Sequence, residues 1–277
     1  MELADYTEEE LKGLLDSGVE VARIAGKEIR DVFYKTKATE TKEHNADLVT
    51  ETDKLVEDII IKSLKEKYPT HSFIGEESTA ASGKRTLTTN PTWIIDPIDG
   101  TTNFVHSYPY CVVSIGLTIG TQLAVGIIYN PMLEELYTAT KGGGAFCNGK
   151  RIHVSGQEDI RKCLVAATVS RRGLEGKLSS LKNLVQAEIH GTRNTGSAAA
   201  NLCLVANGSI DVMYDYGLHS WDIAAGVLIV EEAGGVVLDP SSLAPIDLLA
   251  RRLLAASSMK LAQTVGPLLV HVDFPRD

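Results

Sequence analysis

The chain has 277 residues, 44% hydrophobic and 23% charged, with 27 basic against 36 acidic side chains and a formal charge of −9. This length buries a large core and this composition excludes a disordered chain, while the acidic balance excludes general nucleic-acid binding and suits cation binding or plain solubility. No apolar run approaches the ~20 residues of a membrane span, and the acidic start Met1-Glu2-Leu3-Ala4-Asp5 lacks the basic-then-apolar pattern of a secretory leader, so a cytoplasmic location is the default expectation.

Thr7 with Glu10 is a capping box. Behind it Leu11, Leu14, Leu15, Ala22, Ala25, Ile29 and Val32 recur at helical spacing and predict a helix to about Phe33. Lys35 to Asn45 is polar and unperiodic, a loop or loose hairpin. Thr52 is the expected cap of a second helix carrying Val56, Ile59, Ile60 and Leu64, which Tyr68-Pro69 stops. Ser72 to Gly75 reads as a short strand running into Glu76-Glu77. Trp93–Ile95, Cys111–Ile119, Leu123–Tyr129 and Glu135–Thr140 read as strands joined by short turns. Gly142-Gly143-Gly144 and Asn148-Gly149 are hairpin glycines, since neither GxGxxG nor GxxxxGK[ST] is present.

The later pattern is strand Leu164–Val169, helix Leu174–Val185, strand Glu188–His190, helix Ser197–Ala206 and strand Ile210–Tyr214. Helix Ile223–Ala233, strands Val236–Leu238 and Leu253–Ala256 and a closing helix follow. Asn207-Gly208-Ser209 fits a glycosylation acceptor, but without a secretory route it is a helix-ending turn. Cys111, Cys147, Cys163 and Cys203 form no CxxC pair and read as reduced thiols. The first half thus predicts α+β over residues 1–145 and the second α/β over 146–277. Together they make layered helices and sheets in a single compact domain spanning 1–277, with a soft boundary near Lys141 to Gly149.

Chemistry concentrates in Trp93-Ile94-Ile95-Asp96-Pro97-Ile98-Asp99-Gly100-Thr101-Thr102-Asn103-Phe104. Trp93 to Ile95 is apolar on consecutive residues, hence buried on both faces, yet it delivers Asp96. Pro97 is expected to end the ladder, and a tight turn through Pro97-Ile98 would bring Asp99 beside Asp96. Two such carboxylates repel, and a divalent cation removes that cost. With the freed Ile98 carbonyl as a third oxygen, the donor set suits Mg²⁺, Mn²⁺ or Ca²⁺ rather than zinc. Gly100-Thr101-Thr102 then offers backbone N–H groups to an anion at a helix start. A metal site beside an anion site is the pairing phosphate chemistry requires. Gly196-Ser197-Ala198 is a second glycine–hydroxyl helix start, readable as a substrate contact or a simple N-cap. Glu76, Glu77, Asp47, Asp53 and Asp222 stand at similar joints, where caps, turns and solvated surface are the competing readings.

Four blocks resemble the inositol monophosphatase family: Asp47-Leu48-Val49-Thr50 through Asp53, Gly75-Glu76-Glu77-Ser78, TWIIDPIDGTTNFVH from Thr92 to His106, and Trp221-Asp222-Ile223-Ala224 with Gly234-Gly235 behind it. The similarity runs from the first helix to about Ala256 and is greatest to the family's animal members. The resemblance implies an αβαβα sandwich of the sugar-phosphatase-like kind, a homodimer, Mg²⁺ dependence with Mn²⁺ as an alternative ion, and inhibition by Li⁺. It implies hydrolysis of myo-inositol 1-phosphate and related monophosphates by metal-activated water, with no nucleic-acid or membrane partner. By motif, Glu76, Asp96, Asp99, Asp222 and the Ile98 carbonyl become metal ligands, and Thr101, supported by Asp53, acts with Glu76 on the attacking water. Gly100 and Thr101 hold phosphate. Gly196, Ser197, Ala198 and Asp215 line the inositol side, and Lys42 lies in a loop near the site. Asp215 and Ser197 stand where the animal members carry Glu and Thr, which leaves sugar phosphates, fructose 1,6-bisphosphate or 3′-phosphoadenosine 5′-phosphate as rival substrates. A non-catalytic Ca²⁺-binding or partner-binding role is the reading from another class. An EF-hand would set acids at alternating positions in one loop, whereas here they are spread over four distant segments.

Overall fold

The computed structural model describes residues 2–37, 39–41, 48–82 and 87–277. In chain order, α1 (Glu8–Val32) leads to β1 (Thr39–Thr41) and β2 (Leu48–Thr50), which pair antiparallel as the expected loose hairpin. Next come α2 (Glu51–Lys67), β3 (Ser72–Gly75), α3 (Glu76–Ser82), β4 (Thr92–Asp99), α4 (Thr101–Val105), β5 (Val112–Ile119), β6 (Gln122–Asn130), β7 (Glu135–Thr140), β8 (Gly144–Cys147) and β9 (Lys150–Arg151). The remainder is β10 (Leu164–Ala167), α5 (Leu174–Gln186), β11 (Gly191–Arg193), α6 (Ala198–Ala206), β12 (Val212–Tyr216), α7 (Ser220–Glu232), β13 (Val236–Leu238), β14 (Arg252–Ala256) and α8 (Met259–Val265).

Local chemistry sets these boundaries. Thr7 Oγ1 accepts the Glu10 N–H at 3.2 Å and the Glu10 carboxylate accepts the Thr7 N–H at 2.8 Å, closing the capping box of α1. The cap of α2 is Thr50, not Thr52. Thr50 Oγ1 accepts the Thr52 N–H at 3.2 Å, and the Asp53 carboxylate returns to the Thr50 N–H at 2.9 Å. Thr50 and Asp53 have the spacing of a capping box, and that pair starts the helix two residues early. The strand expected at Glu188–His190 forms instead at Gly191–Arg193, because Glu188 sits in the left-handed region at φ 63°.

β3 to β9 form one seven-stranded sheet in sequence order, with β3 and β4 parallel and every later neighbour antiparallel. The Lys141 to Gly149 region lies within this sheet. The second sheet has the order β11-β10-β12-β14-β13. Successive residues of β4 serve opposite faces. Trp93 and Ile95 pack with Leu14 and Ile29 of α1 and Val56 and Ile60 of α2. Ile94 faces the core that α6 (Leu202, Val205) and α7 (Ile223, Leu228) fill, which continues to Met213 and Leu253 of the second sheet. The far face of that sheet, through Val212, Tyr214 and Leu254, meets Leu184 of α5 and Leu261 and Val265 of α8. The layering is αβαβα, as expected. No helix among the described residues is long and apolar enough to cross a membrane.

Helix α7 is clamped between the sheets, and two glycines permit it. Gly116 of β5 and Gly126 of β6 are directly paired. A Cβ on Gly126 would stand 2.6 Å from the Ala225 carbonyl oxygen, and one on Gly116 2.9 Å from the Ala224 Cβ. The helix therefore rests on bare backbone. Gly126→Ala should push α7 off the sheet and cost about 1 to 3 kcal/mol, the usual range for overpacking. The urea midpoint of unfolding measures it, and an unchanged midpoint would show that the contact yields freely.

Candidate active site

Asp96 and Asp99 are three residues apart, an odd separation that in a regular strand would aim them at opposite faces. The pairing register shows why they converge. Asp96 opposes Ser114 and Asp99 opposes Val112, so three steps on β4 match two on β5. The extra residue is a bulge. Pro97 does not end the strand as expected; β4 runs through it to Asp99. The bulge sends Ile98 into the core beside Ile95 and turns Asp99 to the face of Asp96. One carboxylate oxygen each from Asp96, Asp99 and Asp222 then lies within 4.8 Å of the others. Asp96 Oδ1 accepts the Ile98 N–H at 3.0 Å, which braces the bulge.

Helix α2 supports this cluster from one side. Asp53 is buried, and its Oδ1 accepts from Thr101 Oγ1 at 3.2 Å; the same hydroxyl lies 3.2 Å from the Ile98 carbonyl. One turn on, Glu57 is also buried, and its two oxygens accept the N–H groups of Glu77 and Ser78 at 2.7 and 2.8 Å. Glu57 thereby caps α3 from another helix and fixes the turn that begins at Glu76. Gly75 makes room for it: a Cβ there would stand 2.4 Å from the Glu57 carboxyl carbon. Glu57 was not among the expected site residues. Its signal was a carboxylate four residues after Asp53, inside the apolar stripe Val56, Ile60, Leu64.

The opposite side comes from α6 and α7. Ser197 caps α6, its Oγ accepting the Ala200 N–H at 3.0 Å. Its proton goes to Asp99 Oδ2 at 2.6 Å, and the Ala199 N–H reaches the same oxygen at 2.5 Å. Ser197 therefore holds an acid of the cluster. Asn103 ties the two halves of the site, its amide donating to the carbonyls of Tyr110 and Thr195 at 2.6 and 2.7 Å. Gly100, at φ 97°, has no room for a side chain: a Cβ would meet the Tyr110 carbonyl at 2.8 Å. Asp222 is the third residue of α7, and its Oδ2 accepts the His219 N–H at 2.7 Å.

Burial raises the pKa of all three acids. Asp96 is pushed well above the usual carboxylate value by burial first, then by Glu76, Asp99, Asp222 and Asp53. Asp222 is raised likewise by burial, Asp99 and Glu76. Asp99 rises only to about 6, because Ser197 and the amides of Ala199 and Ala198 oppose its burial. An all-oxygen set of mutually repelling buried acids fits a hard divalent cation.

The structure thus brings together Asp53, Glu76, Asp96, Ile98, Asp99, Thr101, Ser197 and Asp222. Asp215 is different: it is buried, and its Oδ1 is bound by Lys177 Nζ at 2.9 Å and by the Tyr216 N–H at 2.7 Å. Lys177, itself buried, also donates to Ser170 Oγ at 3.0 Å. A lysine in the polar spacing of α5 gave no hint of this pair. Lys42 and Asp47 lie outside the described residues.

The model of the "Inositol monophosphatase family" matches residues 10–272. Inositol monophosphatase 1 of Bos taurus is 47% identical over 267 residues, covering 95% of this chain and 96% of its own. Among solved structures, the extragenic suppressor protein suhB of Bartonella henselae superposes with a TM-score of 0.84 at 31% identity, covering 92% of this chain and 98% of its own. The structure of inositol monophosphate bound SaIMPase-II does so with a TM-score of 0.77 at 26% identity, covering 91% and 92%.

The Asp99 shift has a consequence for stability without metal. In the fold Asp99 takes up a proton near pH 6, against an ordinary value of 3.8. The folded state therefore protonates first as pH falls, and the metal-free protein gains stability between those two values. In chelator, the melting temperature should rise as pH falls from about 6 towards about 4, and saturating Mg²⁺ should flatten that gradient at its upper end. A melting temperature that falls steadily with acid in chelator would contradict the assignment.

Proposed function

The chain belongs to the inositol monophosphatase family and is an inositol-phosphate phosphatase; from that premise we propose that it hydrolyses myo-inositol 1-phosphate and related monophosphates with Mg²⁺ and is inhibited by Li⁺. The observation that carries this reading is the meeting of Asp96, Asp99 and Asp222 within 4.8 Å. Glu76, Asp96, Asp99, Asp222 and the Ile98 carbonyl would hold the metal, with Mn²⁺ as an alternative ion. A divalent ion held by these residues would supply charge shielding for the phosphate, a water of lowered pKa and stabilisation of the leaving oxygen.

The remaining roles fall to the chain itself. Thr101 Oγ1 has one proton. Donated to Asp53, it leaves the hydroxyl's lone pairs to accept from the attacking water, for which Glu76 would be the second partner. Gly100 and Thr101, at the start of α4, offer their amides to the phosphate. Gly196, Ser197, Ala198 and Asp215 form the polyol side, and Lys42 belongs to a loop near the site. A homodimer is the proposed assembly and the cytoplasm the proposed location.

A second reading follows from Lys177. With one Asp215 oxygen already taken by an ammonium and an amide, fewer acceptor positions remain for inositol hydroxyls. Sugar monophosphates then compete more evenly as substrates.

Phosphate release from myo-inositol 1-phosphate should require Mg²⁺ and stop in chelator; turnover that survives chelation would remove the metal from the reaction. Asp96→Asn should lower kcat by at least about a thousandfold while the protein stays folded by circular dichroism. Near-parental turnover in that variant would make the pair structural. Asp215→Glu should raise the preference for inositol over sugar monophosphates, read as a ratio of kcat/KM in a substrate panel with and without Li⁺. An unchanged ratio would take Asp215 out of the specificity argument.

A further inference from the structure

Helix α7 delivers Asp222, and the residue before the helix is held unusually firmly. The His219 ring stacks on Trp221 with centroids 4.5 Å apart and planes 16° from parallel. Arg251 Nη2 lies 2.8 Å from His219 Nε2, and the two Asp277 carboxylate oxygens lie 2.8 and 3.0 Å from Nδ1. A guanidinium has only donors, so Nε2 accepts and the Nδ1 proton is the one given to Asp277. Both ring nitrogens and one ring face are therefore fixed. The main-chain N–H of the same residue donates to Asp222 Oδ2 at 2.7 Å.

The segment carrying Asp277 is anchored along its length. The Asp277 side chain is fully buried, and Arg251 Nε stands 3.6 Å from it. The Asp277 N–H donates to the Leu249 carbonyl at 3.0 Å, and Arg276 pairs with Asp247. Phe274 covers Gly217, where a Cβ would come within 2.8 Å of the ring, and the Arg251 guanidinium lies 5.5 Å above that ring. Arg251 also donates to the Gly217 carbonyl at 2.8 Å. Residues 217–219 are thus gripped from two sides immediately before α7.

We propose that Asp277, with Arg251, is a positioning residue of the active site: it fixes His219 and through it holds the Asp222 carboxylate at the metal cluster. The proposal rests on the reading of Asp222 as a metal ligand. Burying an Asp–His–Arg network is a poor way to gain stability, since apolar packing of the same volume does as well or better. What such a network supplies is orientation, and partners behind a ligand typically change metal affinity tenfold or more.

The test is direct Mn²⁺ binding by calorimetry without substrate, alongside Mg²⁺ half-saturation of activity and thermal melting. Asp277→Ala should weaken Mn²⁺ binding about tenfold and raise the Mg²⁺ requirement equally, with KM for substrate within about twofold. Asp277→Asn keeps one acceptor for the Nδ1 proton and should fall between; if Asp277→Ala does not fold, this variant decides. Because both act on one ligand, Asp277→Ala combined with Asp222→Asn should bind metal no more weakly than Asp222→Asn alone. Parental Mn²⁺ affinity in a folded Asp277→Ala, while Asp222→Asn is impaired, would make the network purely structural and overturn the proposal. Parental affinity in Asp222→Asn would overturn the ligand assignment beneath it.

Discussion

Three carboxylates face one another across less than 5 Å at a buried strand end, and much of the surrounding structure answers their repulsion. Like charges about 4 Å apart repel by roughly 4 kcal/mol at the effective dielectric of a protein surface. A hydrogen bond to a charged group returns roughly 1.5 to 3 kcal/mol. Neither Asp96, braced by the Ile98 amide, nor Asp222, braced by the His219 amide, has enough such bonds to offset burial and its neighbours, and both are raised strongly. Asp99 has the Ser197 hydroxyl and the start of α6, and it stays near 6. The unequal bracing leaves repulsion that a divalent ion would remove, so the cluster fits a hard cation.

The acids arrive on three elements, Asp96 and Asp99 on β4, Glu76 on α3 and Asp222 on α7, and local devices aim them. The β4 bulge turns Asp99 round to join Asp96. Helix α2 acts as a rod beneath them, with Asp53 reaching Thr101 and Glu57, one turn later, capping the helix that Glu76 opens. Ser197 has two roles, accepting from Ala200 as an N-cap and donating to Asp99. Asn103 then bridges Tyr110 and Thr195, which ties the α4 start to the loop before α6. The carboxylates and amides around the cluster are thus held in place before any ligand arrives, the preorganisation that electrostatic stabilisation relies on.

Much of this was legible in the residues. Apolar periodicity located α1, α2 and the strands of the meander, because each buries one face or both and the pattern records it. The meeting of Asp96 and Asp99 was legible because two acids placed directly after a doubly buried strand stand out as a costly pair. The manner of their meeting was not. A turn and a bulge leave the same local sequence, and only the register against β5 distinguishes them. Glu57 and Lys177 were hidden for a related reason: a charged residue on a helix reads as solvated until tertiary packing buries it. Thr50 and Thr52 are both good caps, and the Asp53 carboxylate returning to the Thr50 N–H decides between them.

Helix α7 joins stability to function more tightly than any other element. It packs against both sheets, seated on the paired glycines of β5 and β6, and its first turn carries Asp222. A displacement of its axis is therefore both a packing defect and a misplaced carboxylate. Sheet glycines fix how deep the helix lies, while the Arg251–His219–Asp277 contacts fix where it begins. Depth and starting point together determine the position of a short, stiff side chain such as Asp, which has little reach to correct an error in either. An acid with a longer side chain could absorb such an error by changing rotamer. Asp222 cannot, so the backbone beneath it has to be right, and that accounts for the concentration of buried polar contacts at the loop that leads into this helix.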